Sequence, residues 1–136
     1  MSNPTFRSGP ISFEVAADTE KFRLVTVDEN GKIKHADASG AVFGAVTEAG
    51  RVEPKEPGAA TIAVHYGPAA VKLETDGDVK SGAAVFAAAD GKASASGSVQ
   101  VGVAVRDTEN GKTLTILNQL PAVAAAAAES LSLIHI

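Results

Sequence analysis

The chain has 136 residues, a formal charge of −4 and a pI near 5.3, which argues against a basic face that tracks a phosphate backbone. The absence of Cys rules out disulfides, a thiolate metal site and a Cys nucleophile, and suits assembly in a reducing cytosol. Apolar residues make up 45% of the chain but aromatics only 4%, so the expected core is a thin one of Ala and Val that draws stability from neighbouring subunits.

Met1 to Pro10 is polar, carries Pro4, Gly9 and Pro10, and shows no periodicity; it reads as an extended arm without the apolar stretch of a secretory signal. The pattern turns to β at Ile11, where "ISFEV" alternates Ile11, Phe13 and Val15 with Ser12 and Glu14. "FRLVTV" (Phe22–Val27) alternates in the same way and runs into "DENGK", whose Asn30-Gly31 accepts the positive φ angles of a tight hairpin. Further strands are predicted at "AVFGAV" (Ala41–Val46), "ATIAVHY" (Ala60–Tyr66) and "AAVKLE" (Ala69–Glu74). Then come "AAVFAA" (Ala83–Ala88), "VQVGVAV" (Val99–Val105) and "TLTILNQ" (Thr113–Gln119). Turn clusters separate them at about 8 to 12 residues, the rhythm of a sandwich or barrel, and no helical stretch precedes Leu120. No segment approaches the roughly 20 apolar residues that span a bilayer.

The two halves echo each other. Gly31-Lys32, then Val42-Phe43-Gly44-Ala45-Val46, then Thr61-Ile62-Ala63-Val64 match Gly91-Lys92, then Val101-Gly102-Val103-Ala104-Val105, then Thr113-Leu114-Thr115-Ile116. Gly44 and Gly102 interrupt apolar strands, where Gly marks a bulge, a barrel corner or a close backbone approach. The fold class expected is a small all-β barrel or sandwich-like domain of two loosely repeated halves. It spans residues 11–120, behind an extended arm (1–10) and ahead of a flexible Ala-rich tail (121–130).

No residues assemble into a catalytic signature. His35 follows a turn in "KIKHADASG" and reads as solvated; His65 in "AVHYGP" reads as a rim histidine beside Tyr66; no two His have metal-ligand spacing. "ETDGD" (Glu74, Asp76, Asp78) lacks the ladder of an EF-hand loop and has the composition of a turn. "SASGS" (Ser94–Ser98) reads as a flexible loop, no Ser sits in a G-x-S-x-G elbow, and no Gly-rich segment links a strand to a helix. The chain is expected not to be an enzyme and to need no metal or cofactor.

Two families share its motifs. "DGDVKSGAAVFAAADGKASAS" resembles the hairpin of biotinyl and lipoyl carrier domains, with Lys92 as the acceptor, but it lacks Met-Lys-Met and Gly91 interrupts "DKA". "GDVKSGAAVFAAADGKASASGSVQVGVAVRDTENGKTLTILNQL" (Gly77–Leu120) more closely resembles the C-terminal half of the head decoration, or capsid cement, proteins of tailed phages. The shared pattern is GD-x-V-x-x-G-x-x-V, a Gly/Lys turn, a Ser-rich loop, a hydrophobic-G-V-A-V strand and a last alternating strand. Phe22–Val64 matches more loosely.

That resemblance implies a β-barrel-like homotrimer, made in the host cytoplasm and bound to the major capsid protein on the outer surface of an expanded capsid. There it would hold capsomers against the pressure of packaged DNA, with no nucleic acid or membrane as partner. An extended arm suits such a role by adding main-chain hydrogen bonds to a neighbour's sheet, with Thr5, Phe6, Arg7 and Pro10 as the capsid contacts. The alternatives are the carrier domain and a non-enzymatic β-sandwich binding module.

Beyond Leu120, Pro121 and the alanines to Ala128 form too short a segment for a helix that stands alone, which needs about 12 residues or more. The terminal Leu131-Ser132-Leu133-Ile134-His135-Ile136 is a direct translation of CTG TCT CTT ATA CAC ATC, a transposon end used as a sequencing adaptor. Residues 131–136 are therefore expected to be adaptor rather than protein, with the natural continuation after Ser130 missing and no function for His135.

Overall fold

The structure, a computed structural model, describes residues 10–38, 41–53 and 59–118. In chain order its strands are β1 (Ile11–Val15), β2 (Arg23–Val27), β3 (Lys32–His35), β4 (Gly44–Val46) and β5 (Thr61–Val64). They continue with β6 (Ala69–Glu74), β7 (Ala84–Ala87), β8 (Ala93–Ser94), β9 (Gln100–Ala104) and β10 (Lys112–Leu117). A single 3-10 turn, Ala89–Gly91, interrupts them among the described residues. Every predicted strand forms, and the all-β class is correct. Two strands were not anticipated: β3 takes in His35, and β8 takes Ser94 out of the Ser-rich loop. The arm up to Gly9, the Ala-rich tail and the terminal hexapeptide lie outside the described residues.

The first five strands form one sheet in the order β4-β2-β3-β1-β5, and the last five another in the order β6-β10-β9-β7-β8. Strand for strand, the two are the same ring. The first strand of each half pairs antiparallel with the fifth, the fourth with the second, and the second with the third. Fourth meets fifth through a full ladder between β9 and β10, but through one bridge in the first ring, where Ala45 and His65 exchange two backbone hydrogen bonds of 2.8 Å. First meets third in parallel: Glu14 and Val15 lie beside Lys32 and Ile33, and Thr75 beside Ala93. Equivalent hydrogen bonds end the two contacts, from Ala16 N–H to Ile33 O at 2.7 Å and from Asp76 N–H to Ala93 O at 2.8 Å. Each sheet curls toward closure with its weak seam in a different place, the Ala45–His65 bridge in the first and the Thr75–Ala93 bridge in the second.

The interrupting glycines occupy equivalent positions, Gly44 opposite Val25 and Gly102 opposite Val85. A Cβ on Gly44 would lie 2.3 Å from the His65 carbonyl oxygen, and one on Gly102 2.0 Å from that of Ile116. Close backbone approach is thus their purpose, and a register shift between Val85 and Phe86 adds a bulge beside Gly102.

The rings are not separate domains. Val15, Val25, Ile33, Val46, Ile62 and Val64 fill the first, with Phe13, Val27 and Phe43 packed against them. A second core joins Leu24, Ala36, Val42 and Ala45 of the first half to residues from Val71 to Leu117 of the second. On β2 the consecutive residues Leu24 and Val25 are both fully buried, one toward each core. Backbone bonds reinforce the join: Gly91 N–H donates to Ala36 O and Glu74 N–H to Phe22 O, both at 2.8 Å.

The second core accommodates a chain of hydroxyls. Val79 N–H donates to Thr108 Oγ1 at 2.8 Å; Thr108 and Thr113 hydroxyls are 2.7 Å apart, and Thr113 and Thr75 2.6 Å. Thr75 Oγ1 then donates to Leu73 O at 2.9 Å. With one proton per hydroxyl, the nearer final acceptor, Leu73 O at 2.9 Å against Val79 O at 3.4 Å from Thr108 Oγ1, favours the direction Thr108 to Thr113 to Thr75 to Leu73. Thr113→Val breaks the middle link of a buried chain and is expected to cost about 1–3 kcal/mol, measured by denaturant unfolding. Thr113→Ser, which keeps the hydroxyl, restores most of that loss.

Candidate interaction surfaces

Of the expected contact residues only Pro10 is among the described ones. Thr5, Phe6 and Arg7 lie outside the described residues, while Pro10 is exposed immediately before β1. The next residue, Ile11, pairs with Val64 at the end of β5. Nearby, Phe13 and Phe43 meet edge to face at 5.4 Å, and Phe43 and Tyr66 lie 6.3 Å apart, so half the chain's six aromatic residues gather where the arm joins the barrel. His65 is half-buried beside them and bridges to Ala45 through its backbone.

Lys92 does not stand at the tip of a projecting hairpin. Its backbone pairs with Ala88, and the tip before it is docked on the first half, where Arg23 Nη1 donates to Asp90 O at 3.0 Å and Gly91 bonds to Ala36. A carrier hairpin must present its lysine to a ligase, and this one is held down. The "GDVKSG" motif has a structural explanation: Gly77 and Gly82 take φ of 92° and 82°, and Val79 between them is buried in the second core. No group of three His, Asp or Glu able to hold a metal ion occurs among the described residues.

His35 departs from the solvated reading. It is half-buried on β3, and its Nε2 accepts the Glu20 N–H at 2.9 Å. Burial first, and the Arg23 charge second, push its pKa below the usual imidazole value, against smaller opposing effects of Asp90 and Glu20. The unfolded chain therefore takes up this proton at higher pH than the folded one. The contribution of neutral His35 is present above about pH 6.5 and is lost as pH falls through the lower folded value. The thermal midpoint is expected to drop between pH 7.5 and pH 5.5, and His35→Gln, which keeps an acceptor but does not titrate, should flatten that drop.

On the outer face of the second sheet, β10 departs from the usual alternation, while β6 keeps it with Val71 and Leu73 inward and Lys72 outward. On β10, Thr113, Thr115 and Leu117 are fully buried, while Leu114 is half-exposed and Ile116 is 44% exposed. The inward threonines are satisfied by the hydroxyl chain and by a bond from Thr115 Oγ1 to Thr113 O at 3.1 Å. Ile116 faces Val103 on β9 and Ala70 on β6, and Val103 faces Ala84 on β7, which lays an apolar row across four strands. Val105, 38% exposed, adjoins Leu114. Beside that row opens a groove of about 460 Å³, lined by Phe22, Leu114 and Asn110, the cations Lys72, Arg106 and Lys112, and the carboxylates Asp107 and Glu109. Phe22 has φ of 61°, an uncommon backbone state for a bulky residue, and its ring lies under the ammonium groups of Lys112 at 5.6 Å and Lys21 at 5.9 Å.

No protein-family model and no curated protein sequence matches the chain. Its fold is similar to that of the crystal structure of the head fiber gp8.5 N base in bacteriophage phi29, with a TM-score of 0.63 over 84% of this chain and 97% of that one. At 16% identity the likeness is one of fold.

Proposed function

We propose that this chain is a structural capsid decoration, or cement, protein of a tailed phage. It binds the major capsid protein on the outer surface of an expanded capsid as a homotrimer and holds the shell against packaged DNA. The observation that carries this reading is the paired-ring fold, which is similar to that of a phage head fiber base across nearly all of the latter's length. The decoration-family pattern of Gly77–Leu120 supports it independently, because its glycines and Val79 are the residues that build the second ring. Phe6 and Arg7, with Thr5 and Pro10 beside them, anchor the arm to the shell in this reading.

Purified protein mixed with expanded, undecorated capsids should co-sediment saturably and raise the temperature at which the shells come apart. Phe6→Ala combined with Arg7→Ala should weaken that binding without changing the protein's own unfolding. If no saturable binding is found and the protein is monomeric, a free-standing binding module becomes the better description.

A further inference from the structure

We infer that the outer face of the second sheet is a docking surface for an acidic, apolar-anchored segment of a partner protein. The inference deepens the cement reading by naming the surface and the chemistry of what it holds. Two independent features point to it. First, β10 buries two threonines and turns Leu114 and Ile116 outward, with Val103 and Val105 beside them. A sheet face that leaves Leu114, Val105 and Ile116 side by side in partial or full exposure gains by being covered. Second, on a chain of net charge −4, Lys72, Arg106 and Lys112 border that face, and none forms an ion pair among the described residues. Asp107 and Glu109 line the groove as well, so three cations stand against two carboxylates, and Asp107 is already engaged, accepting from Ser81 N–H at 2.8 Å and lying 4.0 Å from Lys80. Apolar anchors would seat on Leu114, Ile116 and Val105, and carboxylates would reach the three cations, with the Phe22 ring closing one end.

The isotope-labelled full chain is titrated with a capped octapeptide in which glutamate alternates with leucine, and its amide spectrum is followed. Saturable shifts centred on Lys72, Arg106, Lys112 and Leu114 are expected, weakening as salt rises. A triple variant, K72E/R106E/K112E, should bind roughly tenfold or more weakly, about 1.4 kcal/mol per decade, with an unchanged spectrum elsewhere. Absence of shifts at this face, or equal shifts with a lysine–leucine peptide, overturns the inference. So does self-association that Ile116→Asp abolishes, since the occupant is then a second copy. The titration needs no capsid: peptide binding without capsid binding sinks the cement reading alone, and capsid binding that the triple variant leaves intact sinks this inference alone.

Discussion

Gly102→Ala is expected to cost about 3 kcal/mol or more, a fall of roughly 10 °C in thermal midpoint for a domain of this size. The added methyl would sit 2.0 Å from the Ile116 carbonyl oxygen, with Thr115 Cγ2 at 3.1 Å, so either β9 or β10 must move. Both are backbone ladders, and β10 is paired on both sides, which leaves little room for adjustment. Gly44→Ala meets the same obstacle at His65 and should be severe too, although the first ring's seam there is one bridge and yields more readily. Gly31→Ala is the control. Its φ of 75° is strained for alanine, but nothing lies within 4 Å of the new methyl, so about 1 kcal/mol is expected. Equal losses at Gly102 and Gly31 would mean that the strands do not approach as closely as described.

Leu24→Ala should cost about 2–5 kcal/mol, because this fully buried side chain belongs to the core that joins the halves. More telling than its size is its form. If one core serves both rings, the variant still unfolds in a single transition at lower denaturant, with β-sheet signal and backbone protection lost together. Two resolved transitions would show that the rings are stable separately and that Leu24 only decorates their contact.

Much of this architecture is written locally. Alternation located eight of the strands, and the two glycine-bearing strands exposed the internal repeat, because the same close approach recurs in each ring. What escaped had tertiary causes. In "KIKH" only Ile33 is fully buried, so β3 gives no run of apolar residues, and β8 is two residues long. The tetrapeptide Glu-Asn-Gly-Lys occurs twice and folds in two ways. At Glu109–Lys112, Asn110 and Gly111 both take positive φ, 56° and 75°, in a two-residue hairpin. At Glu29–Lys32 only Gly31 does, because Asp28 accepts two backbone N–H bonds and pairs with Lys32 across a three-residue loop. Strand register, not the tetrapeptide, selects the turn. The candidate surfaces follow the same rule. Period-two patterning of "KTLTIL" defines two faces, but Thr75, distant in sequence, and Thr108, across the preceding hairpin, supply the hydroxyl partners that let the threonine face point inward. The expected arm, with its proposed contacts Thr5, Phe6 and Arg7, lies outside the described residues, and the capsid experiment tests it.

β1 lies between β3 and β5, and β10 between β6 and β9, so both outermost strands of the described domain are held on two flanks. Tension that enters ahead of Ile11 or beyond Leu117 runs along a strand, across the direction of its ladder hydrogen bonds. Those bonds then share the force in shear, as rivets do in a lap joint, instead of parting in succession like a zip. A pull on either end of the described domain is therefore met by a whole ladder at once.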